Sequence, residues 1–338
     1  MDTSNLRSLT PNTQGPAPNT QHPTPAKVLL KARPTEAQLA DRLADPVPAG
    51  LELYLAAEDL ADPAALDRLA IRLRELRPFR EFVYVVEGPL RSLDGSFFDL
   101  SKNTEPNREC LRRIAHLAEA IAAEAILVHA IAPRKLDVPL GPELHRRTLE
   151  ACFPLLEQYV ALARDHGLIP LLENIPPVAR QREKSYMCTP VGMSVHDLVH
   201  FCERFPGLMA TVDVSHAGLF LNGLRLDPST VEPDLAPLVG YLHSLRDSPS
   251  MEEYLSTAEP YLFEIHVSNA RGLLEEGLPY GDGDLDIDAL ARRLSRSVRY
   301  MVTETIEPEP DRGIYMREAQ ARLERALNSV DAEGASER

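Results

Sequence analysis

The stretches LLENIPP (Leu171–Pro177), TVDVSHAG (Thr211–Gly218), EIHVSNARG (Glu264–Gly272) and VTETIEP (Val302–Pro308) share one plan. In each, a short apolar run of β character meets an ionisable side chain: Glu173, Asp213, His266 and Glu304 in turn. Ending an apolar strand in such a group is costly unless it faces solvent, a partner or a metal ion. The four residues are 40, 53 and 38 positions apart, the length of one βα unit or of one unit plus an insertion. Strand ends repeated at that interval converge on one face if the strands are parallel neighbours.

Four earlier runs extend the series: KVLLKA from Lys27, LELYLA from Leu51, FVYVVEG from Phe82 and AILVHA from Ala125, the last ending at His129. Between the strands lie segments such as ALDRLAIRLREL and LHRRTLEACFPLLEQYVALARDHG, with apolar residues at three- and four-residue intervals, the mark of amphipathic helices. Eight such units predict an α/β chain folded as a single-domain (β/α)8 TIM barrel over residues 27–328. No GxGxxG turn follows the first strand, which argues against an open doubly wound sheet. Residues 1–26 are rich in Pro, Thr, Asn and Gln and read as a disordered tail, and residues 329–338 as a frayed one. The stretch from His216 to Leu262 exceeds one helix and predicts an extended loop with a short helix of its own.

The chain has 338 residues, 44% hydrophobic, with a formal net charge of −15. That charge argues against nucleic acid or an anionic membrane as partner. No apolar run reaches the roughly 18 residues of a membrane span, and no signal peptide is evident, so the expected location is cytoplasmic. The four cysteines are widely spaced and read as reduced thiols. Composition leaves homo-oligomer formation open.

Any one of these strand-end carboxylates, taken alone, reads as a helix N-cap or an ion-pair partner. Together they mean something else. Carboxylates brought to one face repel and raise each other's pKa unless a cation neutralises them. Carboxylate oxygens with an imidazole nitrogen suit a divalent metal ion such as Mn, Mg, Co or Zn. His129 reads either as part of this site or as a buried, hydrogen-bonded histidine. On the second strand Glu52 and Tyr54 share the barrel-facing side, while Leu51, Leu53 and Leu55 face the helices.

The order Glu, Asp-x-x-His, His, Glu in these motifs, with GDGDLD following EIHVSNARG, resembles the xylose isomerase-like barrel superfamily. That superfamily holds sugar isomerases, ketose 3-epimerases, inosose dehydratases and the endonuclease IV group. The resemblance implies that Glu173, Asp213, His266 and Glu304 are metal ligands, with Glu173 and Glu304 also serving as the catalytic proton carriers. It implies substrate contacts from His216 and, in the loop after His266, from Arg271. His129 and Glu87, at the ends of the fourth and third strands, join the expected substrate-binding set. Arg182 and Lys184 stand in the loop after the fifth strand.

The expected function is therefore a metal-dependent isomerase or epimerase of a small sugar-like, polyhydroxylated carbonyl compound, with dehydration open to the same apparatus. The alternatives are an endonuclease IV-like phosphodiesterase and a non-catalytic metal-binding barrel. Against the first, Glu87 stands where that group has a histidine, and the loop Glu275–Tyr280 contains none.

Overall fold

The computed structural model describes residues 24–336 apart from 137, 181–185 and 246–249. Most of the expected N-terminal tail, together with Arg182 and Lys184, lies outside the described residues.

Eight parallel strands close into a barrel: β1 (Lys27–Ala32), β2 (Gly50–Tyr54), β3 (Val83–Glu87), β4 (Ala125–His129), β5 (Ile169–Glu173), β6 (Met209–Asp213), β7 (Leu262–Val267) and β8 (Tyr300–Thr303). Each strand pairs with its neighbours in chain order, and β8 returns to β1 with Leu30 opposite Thr303. All eight strands expected from the sequence form, at those positions.

Alternation along each strand divides two cores. Leu30, Leu51, Leu53, Val86, Ile126, Leu172, Val212 and Met301 point outward and pack beneath the helices. Leu29, Val85, Leu127, Leu171 and Val302 point inward and fill the barrel. Each fully buried side chain of this kind contributes about 1.5–3 kcal/mol. Two residues on from that inner layer, the same face presents Lys31, Glu87, His129, Glu173 and Glu304, at the C-terminal ends of the strands where barrel sites lie.

Local signals set the helices. Asp62 caps Pro63–Glu75, accepting from the Ala64 amide, with Pro63 at the first helical position; Ser194 caps Val195–Arg204 by accepting from the His196 amide. Gly167, at φ 68°, follows Pro142–Asp165 and turns the chain into β5.

Three differences from the sequence reading stand out. Beyond Asp213 the chain forms three helices, Val214–Gly223, Ala236–Ser244 and Met251–Ala258, because Phe220, Leu238, Val239, Tyr254 and Leu255 give this insertion its own buried faces. Ala26 is buried and donates its amide to the Ser295 carbonyl at 2.7 Å, so the packed chain starts before Lys27. At the other end the last helix, Ile314–Ser336, extends into the segment read as frayed. No helix among the described residues is long and apolar enough to cross a membrane. All four cysteines are buried free thiols.

The loops above β4 and β5 form a three-stranded sheet from Arg134–Lys135, Tyr186–Cys188 and Val178–Arg180, and the loop after β7 forms a hairpin from Asn269–Arg271 and Glu275–Leu278. Gly192 joins the first two loops. Its carbonyl accepts from Ile175, its φ is +87°, and an added Cβ would stand 2.3 Å from the Ala130 carbonyl oxygen. Gly192→Ala is expected to lower unfolding free energy by roughly 2–5 kcal/mol, combining left-handed strain with overpacking. Gly95, at φ +80° with nothing within 4 Å of an added Cβ, isolates the strain component, roughly 1–2 kcal/mol. Denaturant unfolding of both alanine variants checks this, and equal losses would mean that the loop relaxes around the new methyl.

Candidate metal centre at the barrel mouth

Strand register brings the distant ionisable residues together. Glu173 is paired with His129 across β5 and β4, and His266 with Asp213 across β7 and β6. One ligand atom from each of Glu173, Asp213, His266 and Glu304 lies within 4.8 Å of the others. Two donors bound to one ion at about 2.0–2.6 Å stand no more than about 5 Å apart, so the spacing is that of a coordination shell.

Donor atoms of three of the four are also unsatisfied. Both Glu173 carboxylate oxygens, Oε2 of Glu304 and Nδ1 of His266 are buried without a hydrogen-bond partner of acceptable geometry. Buried polar atoms are otherwise paired, and a cation is the partner that three carboxylates and an imidazole nitrogen would share.

His266 is fully buried, and its Nε2 faces Glu52, 3.0 Å from Oε1. Its Nδ1 faces Glu173 Oε1 at 3.4 Å and Glu304 Oε2 at 2.6 Å. Glu52 thus holds the Nε2 proton and turns Nδ1 toward the carboxylates, which is how carboxylates orient metal-binding imidazoles. Behind it Glu264 accepts from the Thr211 hydroxyl at 3.1 Å; burial and the neighbouring Glu52 push its pKa well above the usual carboxylate range.

Asp213 is also a helix cap. Its Oδ1 caps helix Val214–Gly223 by accepting from the His216 amide at 2.7 Å, so the N-cap reading of this residue also holds. Burial, aided by Glu304 and Glu173 against the pull of His216, raises its pKa to about 6. For Glu173 burial acts in the same upward direction, but His266 and His129 outweigh it and lower the pKa. Glu304 is held well below the usual range because Lys31 and His266 overcome its burial. Both glutamates are therefore carboxylates at neutral pH.

His216 borders the same space. Its Nδ1 donates to the Asn174 carbonyl at 3.0 Å, and its Nε2 lies 3.5 Å from Glu276. Burial works against its charge, yet Asp213, Glu276 and Glu173 raise its pKa to about 9. His129 lies 3.0 Å from Glu87 and 3.3 Å from Glu173. Arg271, by contrast, is not brought to the site. The hairpin buries Asn269 and Ala270 and turns Arg271 to the surface, where it pairs with Glu275 at 3.3 Å and donates to the Asp282 carbonyl.

Sequence reasoning missed Lys31. Its ammonium contacts Glu304, lies 2.7 Å from Glu87 and 3.7 Å from Glu52, and its pKa is raised well above normal: burial opposes the charge, but Glu304, Glu87 and Glu52 prevail. The signal was present, since Leu29 and Lys31 share the inward face of KVLLKA.

Above these groups opens a cavity of about 580 Å³, bordered by Lys31, Glu87, His129, Asp213, His216 and Glu304 at its floor. Leu90, Phe97, Ile131, Ile175, Met187 and Ile306 make much of its wall. Its size suits a small molecule.

The sequence profile of the xylose isomerase-like TIM barrel matches residues 51–327. The chain belongs to that family. Among solved structures, an L-ribulose 3-epimerase is similar at TM-score 0.61 and 14% identity, covering 92% of this chain and 97% of that one. A D-tagatose 3-epimerase-like protein gives TM-score 0.59 at 16% identity, covering 90% and 98%. A Thermus thermophilus protein, in a structure soaked with zinc chloride, gives 0.55 at 22%, covering 89% and 97%. At these identities the likeness shows the fold. No curated protein matches the sequence.

Replacing Glu52 tests the orientation of His266. Glu52→Gln is expected to weaken binding of Mn²⁺ or Co²⁺ by roughly 10–100-fold with the barrel still folded. Calorimetric titration alongside circular dichroism measures both, and unchanged affinity would remove Glu52 from the support of the ligand.

Proposed function

We propose that this chain is a divalent-metal-dependent isomerase or epimerase acting on a small polyhydroxylated carbonyl compound, a sugar or sugar derivative. One observation carries the reading: four donors from four strands, Glu173, Asp213, His266 and Glu304, meet, three of them with unsatisfied atoms, and Asp213 and Glu304 open onto a cavity sized for a small molecule. Membership of the family, and structural neighbours that include an L-ribulose 3-epimerase, support it.

A divalent ion held by these four residues would polarise a substrate carbonyl and its neighbouring hydroxyl, lowering the cost of an enediolate. The chain's own groups supply the rest. Glu173 and Glu304 are the proton carriers: one carboxylate takes the proton from the carbon beside the carbonyl and later releases it to solvent, while the other first takes a proton from solvent and then delivers it to carbon. Return to the opposite face inverts that carbon, whereas return to the adjoining carbon interconverts ketose and aldose. His216, its Nδ1 tied to the Asn174 carbonyl, presents Nε2 to a substrate oxygen. His129, between Glu87 and Glu173, keeps the Glu173 carboxylate ionised and fixes its position.

The test is to load the protein with Mn²⁺, Co²⁺ or Zn²⁺ and incubate it in D₂O with ketoses, aldoses, sugar phosphates and inositol derivatives, following carbon-bound deuterium by NMR. Deuterium at the carbon beside a carbonyl, with conversion to an epimer or isomer, supports the reading. A protein that carries metal and exchanges none of these compounds would instead be a binding barrel.

With a substrate in hand, two substitutions separate ligand from proton carrier. Asp213→Asn withdraws charge from the ion, and its activity loss is expected to recover in part with excess metal. Glu304→Gln also removes a base, so kcat should stay down by roughly 10²–10⁴ at saturating metal. Steady-state rates with metal content measured on each variant decide it, and full recovery of Glu304→Gln by metal would end the two-carboxylate mechanism.

A further inference from the structure

A second group of donors adjoins the first. Glu87, His129 and Glu173 also bring one ligand atom each within 4.8 Å of one another, and Glu173 belongs to both sets. On donor types alone this is a place for a second divalent ion. Lys31 stands against it. Its ammonium contacts Glu304 of the first set, lies 2.7 Å from Glu87 of the second and 3.7 Å from Glu52.

The position is imposed by the strands. Lys31 is paired with Glu52 across β1 and β2, and the pairing of Leu30 with Thr303 puts Lys31 beside Glu304. The Tyr54 ring, its centroid 5.9 Å from the ammonium, closes another side, and the residue is only 8% exposed. A lysine stem enclosed in this way holds its charge among the carboxylates. An ammonium and a divalent ion a few ångströms apart in a buried site repel strongly, so the two compete for the same carboxylates.

We infer that Lys31 is a built-in cation that takes the place of a second metal ion, making the centre mononuclear, with the single ion at Glu173, Asp213, His266 and Glu304. The inference rests on the metal-centre reading above and goes beyond it: it states how many ions this chain binds and which residue sets that number. It also bears on reaction class, because one ion beside a fixed ammonium is not the multi-metal cluster of a phosphodiesterase.

The experiment counts ions. Wild type, Lys31→Met and the charge-keeping Lys31→Arg are saturated with Mn²⁺ and, separately, Zn²⁺, passed through a desalting column, and measured by plasma mass spectrometry, with Mn²⁺ affinity from calorimetry. Wild type and Lys31→Arg are expected to hold one ion per chain. Lys31→Met is expected to hold two, and to bind the first more than tenfold more tightly because a neighbouring positive charge is gone. Two ions in wild type would overturn the inference, as would Lys31→Met that still binds one with wild-type affinity. Should Lys31→Met not fold, Lys31→Gln replaces it with the same expectation. A wild type that binds no ion would sink the metal-centre reading itself, a different failure from binding two.

Discussion

Mutual repulsion among acidic side chains inside the barrel is the constraint around which this molecule is organised. Glu52, Glu87, Glu173, Asp213 and Glu264 project from the strands into a space that water barely enters, and Glu304 joins them half-buried at the cavity. Left as bare anions, they would force protonation or open the barrel. The chain answers with Lys31, His129, His216 and His266, each close to at least two of the acids, while burial and Glu52 push the pKa of Glu264 at the bottom well above the usual carboxylate range. The raised pKa of Asp213 and the unsatisfied atoms of Glu173, Glu304 and His266 mark what these neighbours leave uncompensated. A divalent ion fits that remainder in charge and in position.

The same arrangement would let a rigid scaffold serve the proposed proton transfer. Strand ends fix their side chains through backbone pairing on both flanks, so Glu173 and His266 have little freedom to drift. The supporting contacts come from positions one layer down: Glu52 beneath His266, and Thr211 with Glu264 beneath Glu52. Asn174 ties β5 to β6 by accepting from the Asp213 amide at 2.7 Å and donating to its carbonyl at 3.1 Å, so the strands that carry Glu173 and Asp213 are held together by one amide side chain. Selectivity in the proposed reaction would belong elsewhere, to the loops that wall the cavity, such as the loop sheet carrying Met187.

Much of this was legible in the chain itself. Strands and amphipathic helices alternate in the sequence because each must bury one face, and that requirement leaves the periods of two and 3.6 on which the barrel reading stood. Glu173, Asp213, His266 and Glu304 were visible because a strand that ends in charge breaks its own apolar pattern, and because the breaks recur at the interval of a βα unit. Glu52 was read correctly as pointing inward from alternation alone. The insertion after Asp213 was less legible: its helices are short and packed on several sides, so their apolar residues lack a one-sided pattern.

Amino-acid order alone thus determined the barrel, its strands and the four residues that close on one point, since these follow from local periodicity and from the fixed length of a repeating unit. Only the tertiary structure decided which neighbours those residues have. Lys31 and Glu304 are 273 positions apart, and Glu52 and His266 are 214 apart; they meet because β8 closes on β1 and the barrel interior is narrow enough for side chains to cross it. Arg271 shows the converse, close to His266 along the chain yet turned to the surface by a hairpin whose direction depends on how Asn269 is buried. Local pattern specifies which face a side chain takes, whereas ring closure and loop packing specify what that face meets.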